Sequence, residues 1–133
     1  MAIKTYILTC GGTGCLANRG GELYEALKKE VTEQGAQAKV QVVRTGCFGF
    51  CAKGPVVKIL PDETFYVDVK ASDAKDIVAE HVLKGHPVQR LLYDKNLSQI
   101  HTRMEDLSFY QKQFRVVLRN CGVIDPEKID EYI

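Results

Sequence analysis

Cys10-Gly11-Gly12-Thr13-Gly14-Cys15 and Gly46-Cys47-Phe48-Gly49-Phe50-Cys51-Ala52-Lys53-Gly54 each follow a strand-like run, and each is too rich in glycine to continue it. Ahead of the first lies Ile3 to Thr9, β-branched and aromatic, which reads as a buried strand. Ahead of the second lies Lys39 to Thr45, with Val40, Val42 and Val43 apolar. Between them Leu23, Ala26, Leu27 and Val31 recur at helical spacing, with Glu22, Lys28, Lys29 and Glu33 on the wet side. A helix is predicted over 21–34, closed by Gly35. Strand, helix and strand in this order imply a right-handed parallel crossover. Both glycine-rich loops then leave the same end of the sheet, and four thiols converge.

Beyond Gly54 the pattern changes. Residues 55–60 form a short strand, Pro61-Asp62-Glu63 a turn, and Thr64 to Val69 the returning strand of a hairpin. Ser72 is placed to cap a helix whose inner face is Ala74, Ile77, Val78, His81 and Val82, and Gly85 ends it. The order β-α-β-β-β-α makes this an α/β chain. It resembles a compact thioredoxin-like fold, a mixed sheet flanked by helices. Gly85-His86-Pro87 marks the join to the C-terminal stretch, so residues 1–90 are read as one domain and 91–133 as a helical extension. In that extension Ser108 and Gln111 make a capping box for a helix with Tyr110, Phe114, Val117 and Leu118 inward, ended by Asn120-Cys121-Gly122. Asp125-Pro126 opens another helix that runs to Ile133 without a stop signal, the expectation for a truncated chain.

Composition bounds the function. At 133 residues, 45% apolar and 26% charged, the chain is a globular domain with a short addition, not a disordered segment. A net charge of +1 gives no electrostatic case for a nucleic-acid partner. No apolar run reaches membrane-spanning length and the first residues lead directly into a strand, so a cytoplasmic protein without membrane insertion is expected. In a reducing cytosol, five cysteines serve metals or redox chemistry more readily than disulfides.

The spacing C-x4-C (Cys10, Cys15) and C-x3-C (Cys47, Cys51) narrows the choice. Four convergent thiolates suit a tetrahedral zinc site or an iron–sulfur cluster. A thiol–disulfide catalyst needs C-x-x-C, which neither pair has. The familiar ferredoxin spacings are absent too, and a Rieske centre needs two histidines, whereas His81, His86 and His101 all lie outside the loops. The glycines turn backbone N–H groups toward sulfur, which favours a charged cluster. Phe48 and Phe50 suit either shielding of such a centre or ordinary packing. Without a Gly-Lys-Ser/Thr ending, the first loop carries only a weak phosphate-loop signal.

TCGGTGC, TGCFGFCAKGPVV, a Tyr-Val strand and a helix ending at Gly85 closely resemble the thioredoxin-like [2Fe-2S] ferredoxins, over roughly residues 3–93. The resemblance implies a [2Fe-2S] cluster held by Cys10, Cys15, Cys47 and Cys51. It implies one-electron transfer within a multi-subunit NAD(P)H-linked oxidoreductase of the NADH dehydrogenase or hydrogenase type, whose other subunits or domains are the partners. Ala52 stands where an acidic residue is expected in many relatives, without removing a ligand.

The tail, with Phe109-Tyr110-Gln111-Lys112-Gln113, Val117-Leu118-Arg119-Asn120-Cys121-Gly122 and Ile124-Asp125-Pro126, resembles the opening of an NADH-binding flavoprotein subunit. FMN, NAD(H) and a [4Fe-4S] cluster are then expected only downstream or in partner subunits. No catalytic residue is assigned, and the domain alone is not expected to turn over a substrate. A zinc-stabilised interaction module on the same four cysteines is the alternative. Cys121, distant in sequence from the others, reads as a small apolar residue, His81 as a satisfied core histidine, and Arg19, Arg44 and Lys53 as surface charges more than as steering groups.

Overall fold

Ile7 and Leu8, adjacent in strand β1 (Thr5–Cys10), are both buried and belong to different apolar clusters, so this strand is covered on both faces. The computed structural model describes residues 3–93, 114, 116–117, 119–125 and 127–131. After β1 come a short helix α1 (Thr13–Ala17), the long helix α2 (Gly20–Glu33), and the strands β2 (Val40–Thr45), β3 (Val57–Leu60) and β4 (Thr64–Tyr66). The helix α3 starts at Ala74–Asp76 and widens into a π-helical turn over Ile77–Leu83. The sheet order is β2-β1-β3-β4, with β1 parallel to β2 and both other pairings antiparallel. This is the mixed sheet and the β-α-β-β-β-α order expected from the sequence.

Both longer helices cover the Ile7 face. Leu23, Leu27 and Val31 of α2 and Ala74, Ile77 and Val78 of α3 pack there with Val57, Ile59 and Tyr66. Fully burying a leucine contributes about 1.5–3 kcal/mol, so this stripe holds α2 on the sheet. The Leu8 face is covered differently. Val43, Val56, Phe65 and Val67 meet Phe48 and Phe50 of the second cysteine loop, together with Cys10 and Cys15. One face of the domain core is thus closed by the cysteine loops themselves.

Two local expectations are corrected. Residues 13–17 are helical and not open loop; the turn is one of five residues, too short to show a period, and it places Cys15 in the core at 1% exposure. The N-cap expected at Ser72 is replaced by Asp73. The chain enters α3 through a 3₁₀ turn (Ala71–Asp73), and the free donor there is the Lys70 N–H, which reaches Asp73 Oδ2 at 2.8 Å. Ser72 lies inside that turn and not ahead of it. At the other end Gly85, with φ +76°, donates its N–H to the His81 carbonyl, closing the helix where the sequence places its stop.

Most of the helix expected from Ser108 lies outside the described residues, but its described part is not helical, and Phe114 and Val117, expected to face inward, are 93% and 92% exposed. Around Asn120 the chain makes a tight turn, with the Val123 and Ile124 N–H groups on the Asn120 carbonyl. The helix expected from Asp125 is not formed over the described residues: Asp125 Oδ1 accepts the Glu127 N–H at 3.0 Å in a local turn, and only a 3₁₀ turn follows, at Ile129–Glu131. No described helix is long and apolar enough to cross a membrane.

Candidate metal centre

β1 and β2 run parallel and end together, with Cys10 in register with Thr45. Two threonines tie the ends: Thr9 Oγ1 donates to the Val43 carbonyl at 3.4 Å, and Thr45 Oγ1 donates to the Thr9 carbonyl at 3.3 Å. The Gly11 N–H donates to the Thr45 carbonyl, and a Cβ on Gly11 would stand 2.7 Å from that oxygen. Only glycine lets the first loop turn so tightly against the second. Sequence reasoning missed these threonines, although each stands at a strand end directly beside a cysteine loop.

Four elements deliver the four thiols. Cys10 ends β1, Cys15 lies in α1, Cys47 follows β2, and Cys51 opens a 3₁₀ turn (Cys51–Lys53). Cys47 Sγ and Cys51 Sγ are 3.7 Å apart. That distance spans one edge of a tetrahedron whose metal–sulfur bonds are about 2.3 Å. Cys15 hydrogen-bonds to Cys10, which also bonds to Cys47, and the charge of Cys51 is felt at Cys15. The four thiols therefore neighbour one another in a ring. Among the described residues, no group of three or more His, Cys, Asp or Glu side chains is placed to hold one metal ion.

The backbone favours negative sulfur. The Gly12 N–H points at Cys10 Sγ at 3.4 Å, and the Gly49 N–H at Cys47 Sγ at 3.2 Å. In the metal-free chain, the Cys15 thiol donating to Cys10 pulls the Cys10 pKa down to about 6, against burial and aided by the Phe48 and Gly12 N–H groups. Cys15 shifts upward, because it keeps the shared proton and is itself buried. Cys47 also shifts upward, chiefly through burial, partly offset by Gly49.

Glycines make the space. A Cβ on Gly54 would stand 2.7 Å from Cys15 Sγ, one on Gly14 3.3 Å from Cys51 Sγ, and one on Gly12 3.4 Å from both Cys10 Sγ and Cys47 Sγ. Four mutually close thiols, inward N–H groups and a cradle without side chains fit a thiolate-ligated, negatively charged iron–sulfur group. Phe48 and Phe50 are core residues. They are 1% and 8% exposed, and both lie near Phe65, at centroid distances of 5.8 and 6.1 Å.

The other singled-out residues fall elsewhere. His81 is buried on the α3 face, where Tyr66 Oη donates to Nδ1 at 2.6 Å and Nε2 donates to Asp62 at 3.2 Å. It is a core histidine. Arg44 lies 3.4 Å from Glu127 and over the Tyr24 ring, and Arg19 caps α2 in a left-handed conformation. Cys121 is distant only in sequence: its Cα lies 3.8 Å from where a Cβ on Gly46 would be. Nothing in the spacing of the chain signals that approach.

Comparison with known proteins agrees with this geometry. Residues 2–82 match the thioredoxin-like [2Fe-2S] ferredoxin family. A 2Fe-2S ferredoxin of Clostridium pasteurianum is 35% identical over 77 residues, covering 58% of this chain and 76% of the relative. The NADP-reducing hydrogenase subunit HndB of Solidesulfovibrio fructosivorans is 32% identical over 92 residues, covering 67% and 72%. The crystal structure of the wild type thioredoxin-like [2Fe-2S] ferredoxin from Aquifex aeolicus superposes with a TM-score of 0.62 at 29% identity, over 68% of this chain and 96% of that one. The cofactor is a [2Fe-2S] cluster and the activity is electron transfer through it, which sets the zinc module aside. With its sheet, its cysteine loops and these relatives all in agreement, the chain belongs to the thioredoxin-like [2Fe-2S] ferredoxins.

Proposed function

We propose that Cys10, Cys15, Cys47 and Cys51 are the four ligands of the cluster, and that residues 1–90 form a cluster domain working as the electron-transfer part of a larger cytoplasmic oxidoreductase. The observation carrying the ligand assignment is the ring of thiols, with Cys47 and Cys51 at the 3.7 Å edge of a metal tetrahedron. When bound, the cluster takes up and releases one electron at a time.

The chain's own residues do the rest. The four thiolates bind and orient the metal, and the Gly12 and Gly49 N–H groups stabilise negative charge on Cys10 and Cys47. Phe48, Phe50 and Phe65 keep water from the Cys10 and Cys15 side. Cys51, exposed at the surface, is the side on which a partner can approach. A hydrogenase subunit among the relatives supports a complex that oxidises or reduces a nicotinamide, with residues 91–133 leading toward its flavin-bearing part.

Anaerobic purification tests the assignment. The chain should be red-brown with about two iron and two sulfide per chain. Serine in place of any one of the four cysteines should perturb or abolish the visible spectrum. If one of the four tolerates serine with an unchanged spectrum, that residue is not a ligand. Stoichiometric zinc in colourless protein from iron-replete cells would remove the reading altogether.

A further inference from the structure

Residues 121–125 and Glu127 lie against the cysteine loops, although they fall outside the family match over residues 2–82. Gly122 is buried with φ +79°, and a Cβ built on it would stand 2.5, 2.8 and 3.2 Å from three ring atoms of Phe48. Its neighbour Cys121 passes Gly46, the residue before Cys47. Asp125 and Glu127 share a small cavity of about 120 Å³ with Gly11 of the first loop, Leu16 of α1, and Arg44 and Thr45 of β2. Arg44 and Glu127 close that cavity with an ion pair at 3.4 Å. The segment thus touches both loops that carry the thiols.

We propose that this segment is an outer wall of the cluster site, in which Gly122 is the positioning residue that lets the backbone lie flat on Phe48 and so holds the Cys47 loop. The inference rests on the ligand assignment above. Phe48 sits between Cys47 and Gly49, whose N–H donates to Cys47 Sγ, so whatever presses on Phe48 fixes both a ligand and its donor. Glycine is required twice over, once by the positive φ and once by the ring contact. Asparagine separates the two demands, because it tolerates the left-handed conformation but brings a Cβ.

The test uses the full chain with its cluster, reading the rate at which an iron chelator bleaches the visible spectrum and the midpoint potential of the cluster. Gly122→Ala and Gly122→Asn should both bleach about tenfold faster, as changes to groups supporting a ligand typically do. Both should also have a raised midpoint potential, since water reaching the loop favours the more negative reduced form. Gly85→Asn, at a position with φ +76° and nothing within 4 Å of a Cβ, should match wild type. Glu127→Arg sets two cations facing and should speed bleaching without adding an atom to the Phe48 contact. Wild-type rates and potentials for Gly122→Asn and Glu127→Arg would overturn the proposal. Because Cys47→Ser perturbs or abolishes the spectrum only if Cys47 is a ligand, the two readings fail separately.

Discussion

Gly54 passes so close to Cys15 that a Cβ built on it would stand 2.7 Å from the sulfur. The Gly54 backbone, at φ −74° and ψ 160°, is one any residue can adopt. Contact with the thiol, and not the turn, is what demands glycine here.

Gly54→Ala should therefore displace Cys15. The added methyl group meets a side chain that is 1% exposed and has nowhere to retreat, so overpacking should cost the metal-free fold about 1–3 kcal/mol. Iron per chain should fall by more than the loss of fold explains. Chemical denaturation of the metal-free variant beside its iron content checks this, and full iron occupancy would show that Cys15 can move.

The thiol ring gives the metal-free, reduced protein an unusual pH dependence. Cys10 has its pKa lowered from 9.0 to about 6, so between those values the unfolded chain holds a proton that the folded chain has released. Stability should rise with pH through that window, being complete above about 9 and lost as pH falls through 6. Cys15 and Cys47 are shifted upward, so above 9 the unfolded chain releases protons that the folded chain keeps, and stability should decline again. Urea unfolding across pH 6 to 10 should show a maximum near 9. A flat profile would mean that Cys10 and Cys15 do not share a proton.

Hydrophobic periodicity encodes most of the fold. Leu23, Leu27 and Val31, and likewise Ala74, Ile77, Val78 and His81, are buried where their spacing puts them. The cysteine loops are recognisable in the sequence because glycine and cysteine are so unevenly placed. The features that sequence does not reveal are held by tertiary contact. The five residues of α1 have no period, and Cys15 is helical because it packs beneath Gly54 and Gly20. The approach of Gly122 to Phe48 joins residues 74 positions apart, through a contact that no local pattern encodes.

Cys121 offers a control on the ligand set. It is half-buried with its Cα near Gly46, yet none of the four ring thiols pairs with it. Cys121→Ser keeps the backbone contact and should leave the visible spectrum and iron content unchanged. Bleaching by this one substitution would require a different set of four.

On the opposite face of the sheet, Tyr66 stabilises the domain without touching the cluster. Its hydroxyl donates to His81 Nδ1 at 2.6 Å and accepts the Val88 N–H at 2.9 Å, tying β4 to α3 and to the chain beyond it. Tyr66→Phe removes both bonds and leaves His81 Nδ1 buried without a donor, a cost of about 1–3 kcal/mol. Burial also pushes the Tyr66 pKa from 10.0 up to about 12. In the unfolded chain the phenol ionises near 10, so the folded form loses stability as pH rises past that value. In the cluster-loaded protein, where the ligand thiols carry no proton, that alkaline loss should be visible in wild type and absent in Tyr66→Phe. The spectrum of the cluster should be the same in both, because Tyr66 belongs to the core on the Ile7 side and the cysteines to the other. A spectral change in Tyr66→Phe would mean that the two faces of the sheet are coupled.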